Sequence, residues 1–324
     1  MNKTTDKRRV IRLLATGVCL SLLVAYCIGH ASDLRVLSKF RVFHLAALVA
    51  LVGLANLITA YKMFLMLRWV GLQSTNFLRW LHVFAGSRLA NFYVTQGANV
   101  YRAVRLKREY ALSYSESVGL TAVIACFDTA SILFITGLLI LGVRRFESRA
   151  GFFMLGAAFA IVSPLLIVPR LVRPLVSSEA PQRSSWLAWV SNRMRVFSQV
   201  LACCTRDGWT MGAISGMTIL VYLAVLAGTA ICLTAFGEHV SMFNVALLTS
   251  VLTLSRTINI VPGNLGVSEL LAGASTGLLM DQAMYGVMIA AIFRIVDFAV
   301  IGIAFLVLTI RPRATTNRHS IGTG

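Results

Sequence analysis

The chain has 324 residues, 57% of them hydrophobic and only 13% charged, with a mean hydropathy of +0.78. A soluble domain of this length carries about twice that charged fraction, so the composition excludes an ordinary globular protein and predicts an all-α, multi-pass membrane protein. The net charge of +18 does not imply nucleic acid here, because basic residues hold loops on the cytoplasmic side and meet anionic lipid head groups.

Six apolar segments are long enough to span: Val10–Gly29, Val42–Tyr61, Val118–Leu141, Gly151–Pro169, Trp209–Phe236 and Tyr285–Ile310. The first follows a basic flank, "KRRVIR", and with further spans downstream it reads as an uncleaved anchor rather than a signal peptide. The longest polar stretch, the basic loop 170–209, is too short to fold alone, so residues 1–324 read as one transmembrane domain with flexible tails at 1–9 and 311–324. Trp69, Trp80, Trp186 and Trp189 read as interface anchors.

Two regions fit poorly as single spans. Phe77–Tyr101 carries Arg79, His82, Arg88, Asn91, Gln96 and Asn99, and Phe243–Met280 is interrupted by "VPGNLGVSE". Both are expected to be re-entrant hairpins, the first entering from the cytoplasm and the second from outside. With both termini cytoplasmic, this topology puts the N-terminal cluster, "YRAVRLKR" and the 170–209 loop inside, as positive-charge orientation requires. The "VRRFESR" loop (143–149) dissents. Opposed hairpins imply an inverted repeat, with units at about 77–141 and 243–310. "SRLAN" (87–91), Gly97 and Asp128 in the first unit echo "SRTIN" (255–259), Gly263 and Asp297 in the second.

Arg88, Arg256 and Arg294, with Asp128, Glu269 and Asp297, lie at expected membrane depth. Each costs a few kcal/mol at the centre of an isolated helix. Arg294 and Asp297 are i, i+3 on one helix and can neutralise each other. All six can be paired glue between helices, or some can line a polar cavity, since irregular backbone at membrane depth is tolerated only in protein or beside water. Gly266 starts a helix with Glu269 in its first turn, where a carboxylate suits the dipole and free N–H groups suit phosphate. Asn264, Arg256 and Arg294 can add donors, and the planar fork of Arg suits phosphate.

No catalytic motif is visible. His30, His44, His82, His239 and His319 are scattered, "GASTG" (273–277) is not a nucleophile elbow, and the six Cys form neither a disulfide framework nor a metal-ligand pattern. Neither an enzyme nor a cofactor or metal is expected.

At "NIVPGNLGVSE" the sequence resembles the membrane region of lysylphosphatidylglycerol synthases and their stand-alone, flippase-like relatives. Their second hairpin typically reads Asn-x-x-Pro-Gly-Gly-x-Gly-x-x-Glu; Asn259, Pro262, Gly263, Gly266 and Glu269 match, and Asn264 replaces a common Gly. Arg294 matches an Arg of the following span. In the first hairpin Asn91 and Arg102 fit, while Gln96 stands near a usual Pro, Asn99-Val100 near a usual acid, and Ile124-Ala125 replace a common Glu-Arg. In the full-length synthases a soluble domain transfers lysine from charged tRNA and the membrane part moves the product. The chain has no room for such a domain, so the resemblance implies lipid translocation or a role in envelope glycolipid metabolism.

The resulting expectation is a bacterial inner-membrane lipid translocase for an anionic or polyprenyl-phosphate-linked lipid. Arg88, Asn91, Arg102, Arg256, Asn259, Gly263, Asn264, Gly266 and Arg294 would bind the head group, and Asp128, Glu269 and Asp297 would pair with the cations or carry protons. A non-transporting partner of envelope-synthesis proteins and an intramembrane lipid-modifying enzyme are the rival expectations.

Overall fold

The computed structural model describes residues 39–310 apart from 70–71, 73–75, 111, 143–148, 150, 162, 164–207, 239–240 and 256–263. The expected span Val10–Gly29, both tails and nearly all of the 170–209 loop, with Trp186 and Trp189, lie outside those residues. So do Arg256, Asn259, Pro262 and Gly263. Among the described residues the chain is all-helical: α1 Val42–Trp69, α2 Phe77–Tyr93, α3 Gly97–Tyr110, α4 Tyr114–Gly142, α5 Gly151–Ile161, α6 Gly208–Phe236, α7 Met242–Ser255, α8 Val267–Met280 and α9 Ala283–Ile310.

Four of these, α1, α4, α6 and α9, are long and apolar enough to cross a membrane. The 28 residues of α1 rise about 42 Å, against a hydrocarbon core of about 30 Å. The protein is therefore a multi-pass membrane protein. The described part of the expected Gly151–Pro169 span is the short apolar helix α5. The expected end of the second span at Tyr61 is corrected. The helix continues through "KMFLMLRW" to Trp69, because Lys62 is itself buried against Asp128 and does not end the apolar run.

Local chemistry sets several helix ends. Asn76 caps α2, accepting from the Leu78 N–H at 2.9 Å. Ser113 and Glu116 bond reciprocally at the start of α4 (2.8 and 3.2 Å), a capping box that draws the helix out ahead of the expected Val118. Between α2 and α3 the chain turns through Gln96 at φ 63°. Gly97 then sits so close to α2 that a Cβ there would lie 2.3 Å from the Ala90 carbonyl oxygen.

α2 packs on α3, and α7 on α8, while α2 and α8 each also pack against α9. The succession short, short, long (17, 14 and 29 residues) over α2–α4 recurs as 14, 14 and 28 over α7–α9. Ser87 and Ser255 open the two Ser-Arg-x-x-Asn stretches. Both are buried, and each donates to the carbonyl three residues earlier, at 2.7 and 2.9 Å.

Two apolar cores result. One joins Leu48 and Val52 of α1, Tyr222–Phe236 of α6, and α7 to Val287, Ile289 and Phe293 of α9. The other joins Ala60–Leu67 of α1 to Trp80, Val83 and Phe84 of α2, Leu106 of α3, Leu120–Phe127 of α4 and Ile214 of α6. Trp80 belongs to this core and is not an interface anchor: it is 1% exposed, and its indole N–H donates to the Ala60 carbonyl at 2.8 Å. Hydroxyls tie α4, α6 and α7 together. Thr136 Oγ1 lies 2.5 Å from Ser250 Oγ, and the Tyr222 hydroxyl donates to the Ala246 carbonyl at 3.0 Å.

The tightest joint is between α8 and α9. Gly286 N–H donates to Thr276 Oγ1 at 3.0 Å, and a Cβ on Gly286 would lie 2.1 Å from the Ala272 carbonyl oxygen. Backbone cannot give way as a flexible side chain can, so Gly286→Ala is expected to cost at least about 1–3 kcal/mol. Thermal unfolding in detergent should show a midpoint several degrees below wild type.

Candidate functional site

Between the two cores lies a polar cleft with two lobes, surrounded by three cation–carboxylate pairs. Arg88 of α2 lines both lobes. The first lobe, about 70 Å³, is lined by Arg88, Asn91, Asn264, Ser268, Arg294 and Asp297 together with Phe92 and Phe293. The second, about 160 Å³, is lined by Asn56, Thr59 and Lys62 of α1, Asp128 of α4 and Thr218 of α6 among apolar neighbours.

Arg294 and Asp297 do not neutralise each other, as their spacing on α9 allowed. Each takes a partner from another helix. Arg294 Nη1 lies 2.8 Å from Glu269 Oε1 of α8, and its Nη2 donates to the Asn264 carbonyl and Ser268 Oγ, both at 2.8 Å. Asp297 accepts from Arg88 Nη2 at 3.0 Å and from Asn56 Nδ2 at 2.7 Å. Partners on separate helices satisfy more of each buried group's hydrogen-bonding capacity than one neighbour on the same helix could.

Glu269 occupies the start of its own helix. Its Oε2 accepts from the Gly266 N–H at 2.9 Å and from Ser268 Oγ at 3.1 Å, and its residue is 2% exposed. The helix dipole and Arg294 together offset the cost of burying it. The Gly266 N–H, expected to face a head group, is thereby taken up, and Gly266 lines neither lobe. Gly266 adopts φ 84° and Asn264 φ 58°, so the turn needs residues that tolerate the left-handed region. Asn264 Nδ2 donates to the Ser255 carbonyl, which fixes the amide's orientation and leaves its buried Oδ1 without a partner. Arg88 Nε is likewise buried and unpartnered.

The structure thus brings Arg88, Asn91, Asn264, Arg294 and Asp297 to one lobe and Asp128 to the other. Arg102 joins neither. Its guanidinium turns to Asn99 Oδ1 (2.7 Å), the Ala98 carbonyl (3.2 Å) and Met63 Sδ (3.2 Å), holding α3 against α1. Sequence reasoning missed Asn56, Lys62 and Thr218. Lys62 is only 2% exposed, and its Nζ lies 2.5 Å from Asp128 Oδ1 and 3.1 Å from Thr218 Oγ1. The signal was the apolar run on its C-terminal side, which makes Lys62 internal to a helix and not the end of one. Among the described residues no three His, Cys, Asp or Glu side chains gather in a metal-ligating cluster.

The family model described as Lysylphosphatidylglycerol synthase TM region matches residues 9–304. The chain belongs to this family. No curated protein and no solved structure matches the chain. The matched stretch contains every member of the three ion pairs, so the charged cleft lies wholly within the family's transmembrane region.

Removing one partner of a buried pair strands the other, at a cost of about 3–5 kcal/mol, whereas replacing both with apolar residues is often neutral. Glu269→Leu alone is therefore expected to lower the thermal midpoint in detergent sharply. Adding Arg294→Met should recover most of the loss, and a double-mutant cycle measures the coupling.

Proposed function

We propose that this family member is a lipid translocase of the bacterial inner membrane. It moves an anionic or polyprenyl-phosphate-linked lipid whose phosphate binds at the first lobe. The observation that carries this reading is the meeting of Arg88, from the α2–α4 succession, and Arg294, from the α7–α9 succession, in one cleft between two apolar cores. Arg88 keeps a buried, unpartnered Nε beside that lobe.

The charges around the cleft are balanced, so an arriving phosphate binds by exchange and not by filling a vacancy. It displaces Asp297 from Arg88. Asp297 keeps the Asn56 amide, 2.7 Å away, and is not left bare. A forked guanidinium gains two charge-assisted bonds from phosphate oxygens, which makes the exchange close to even. In this reading α2–α3 and α7–α8 are oppositely oriented re-entrant hairpins of an inverted repeat. Both termini are cytoplasmic, and rocking of the repeats exposes the lobe to each side in turn. No chemical step on the lipid is required.

The test is head-group accessibility of fluorescent phosphatidylglycerol and fluorescent polyprenyl phosphate in liposomes holding the purified protein. Wild type is expected to move at least one probe. Arg294→Ala and Glu269→Gln should slow it at least tenfold while still melting cooperatively. Failure of wild type to move either probe would overturn the reading.

A further inference from the structure

The second lobe is built around a cation that the phosphate-binding reading does not use. Lys62 sits in α1, buried against Asp128 and Thr218, and its lobe adjoins the first, with Arg88 in the wall of both. Asn56, which holds Asp297 at the first lobe, and Lys62, which holds Asp128 at the second, lie on the same helix at i and i+6. Their axial separation is about 9 Å. The cations therefore form a series, Arg294, Arg88 and Lys62, and not a single cluster.

All three carboxylates share a second feature. Each has a neutral donor in addition to its cation. Glu269 has the Gly266 N–H and Ser268 Oγ, at 2.9 and 3.1 Å. Asp297 has the Asn56 amide at 2.7 Å, and Asp128 has the Thr218 hydroxyl at 2.8 Å. A carboxylate with a cation alone would be stranded at a cost of several kcal/mol when that cation turned to a ligand. One that keeps a neutral hydrogen bond is not stranded to the same degree. Such donors help to satisfy a permanently buried carboxylate as well, and they are also what serial exchange of cations requires.

We propose that Lys62 is a second phosphate station. A lipid head group bound at Arg88 and Arg294 passes through Arg88 to Lys62, which releases Asp128 to Thr218 as it accepts the phosphate. This rests on the translocase reading and adds to it a residue and a direction of travel along α1. The apolar walls of the second lobe, including Leu51, Val52, Ile132 and Val225, accommodate the first methylenes of the lipid chain while the phosphate holds Lys62.

The experiment compares wild type, Lys62→Arg and the double variant Lys62→Met/Asp128→Leu in liposomes with fluorescent phosphatidylglycerol. Binding of dioctanoyl phosphatidylglycerol is followed in parallel by thermal shift. The double variant removes both charges, so no buried ion is stranded. It is expected to bind the short lipid within threefold of wild type yet translocate at least tenfold more slowly, while Lys62→Arg keeps most of the rate. Unchanged translocation by the double variant would make the pair structural and overturn the second station while leaving the first intact. Loss of binding and movement together in the double variant would also overturn it, because the two lobes would then be one site. A wild-type chain that moves neither this lipid nor polyprenyl phosphate would overturn the translocase reading, and the second station with it. A measurement on wild type alone gives an independent check. Phosphatidylglycerol with a photoreactive group beside its phosphate should crosslink to peptides around Lys62 and Asp128 as well as to those around Arg88 and Arg294. Labelling confined to the latter would exclude passage through the second lobe.

Discussion

The organisation of the molecule depends on burying charge in a medium that cannot solvate it. Three helices make the solution visible. α1 gives Leu48 and Val52 to one core and Ala60–Leu67 to the other, with Asn56 between. α4 gives Leu120–Phe127 to one and Ile132 to the other, with Asp128 between. α6 gives Ile214 to one and Tyr222 onward to the other, with Thr218 between. The polar residues therefore fall in a common layer where two dry cores meet. Among the described residues, each charge of the three pairs in that layer has its counter-charge on a different helix. The pairs specify which helices adjoin as well as neutralising one another, a specifying role open to buried polar groups.

The short helices make that layer possible. A continuous helix in place of α7 and α8 would have no terminus at which to bury Glu269. Ending α7 at Ser255 and starting α8 after Gly266 provides a positive dipole end, a left-handed turn at Asn264 and Gly266, and a place for Arg294 to reach. At the corresponding place between α2 and α3 the turn uses Gln96 and Gly97, and no carboxylate enters the cleft there. The two halves thus have a common succession of helices but different chemistry. The cleft draws Glu269, Arg294 and Asp297 from one half, and Arg88 and Asp128 from the other.

The all-helical, multi-pass character was legible in the sequence because apolar run length and helix-breaking residues directly determine what lipid tolerates. The interruption at "VPGNLGVSE" and the charges Arg88, Asp128, Glu269, Arg294 and Asp297 within apolar stretches were visible for that reason. What was not legible was pairing. Arg294 and Asp297 are neighbours along one helix, and nothing in a linear sequence says that Glu269 and Arg88 come closer. Lys62 was hidden differently. A charge near the end of an apolar run reads as a boundary, and only the burial supplied by Asp128 and Thr218 makes it internal. Trp80 misled because tryptophan is common at interfaces, while here a carbonyl of α1 satisfies its N–H inside a core. Arg102 matched a family position yet turned to its own helix and to Met63.

The joint among Thr136, Tyr222 and Ser250 differs in kind from the ion pairs. It contains only hydroxyls and a backbone carbonyl. Serine and threonine do not ionise in water, and tyrosine does so only near pH 10 in its ordinary state. Ionic strength weakens interactions between charges and has no such hold on neutral hydrogen bonds. The corner where α4, α6 and α7 meet is therefore fastened by contacts that carry no net charge, directly beside a cleft whose contacts do. A charged partner can be exchanged in one part of the molecule without loosening the fastening of the part next to it.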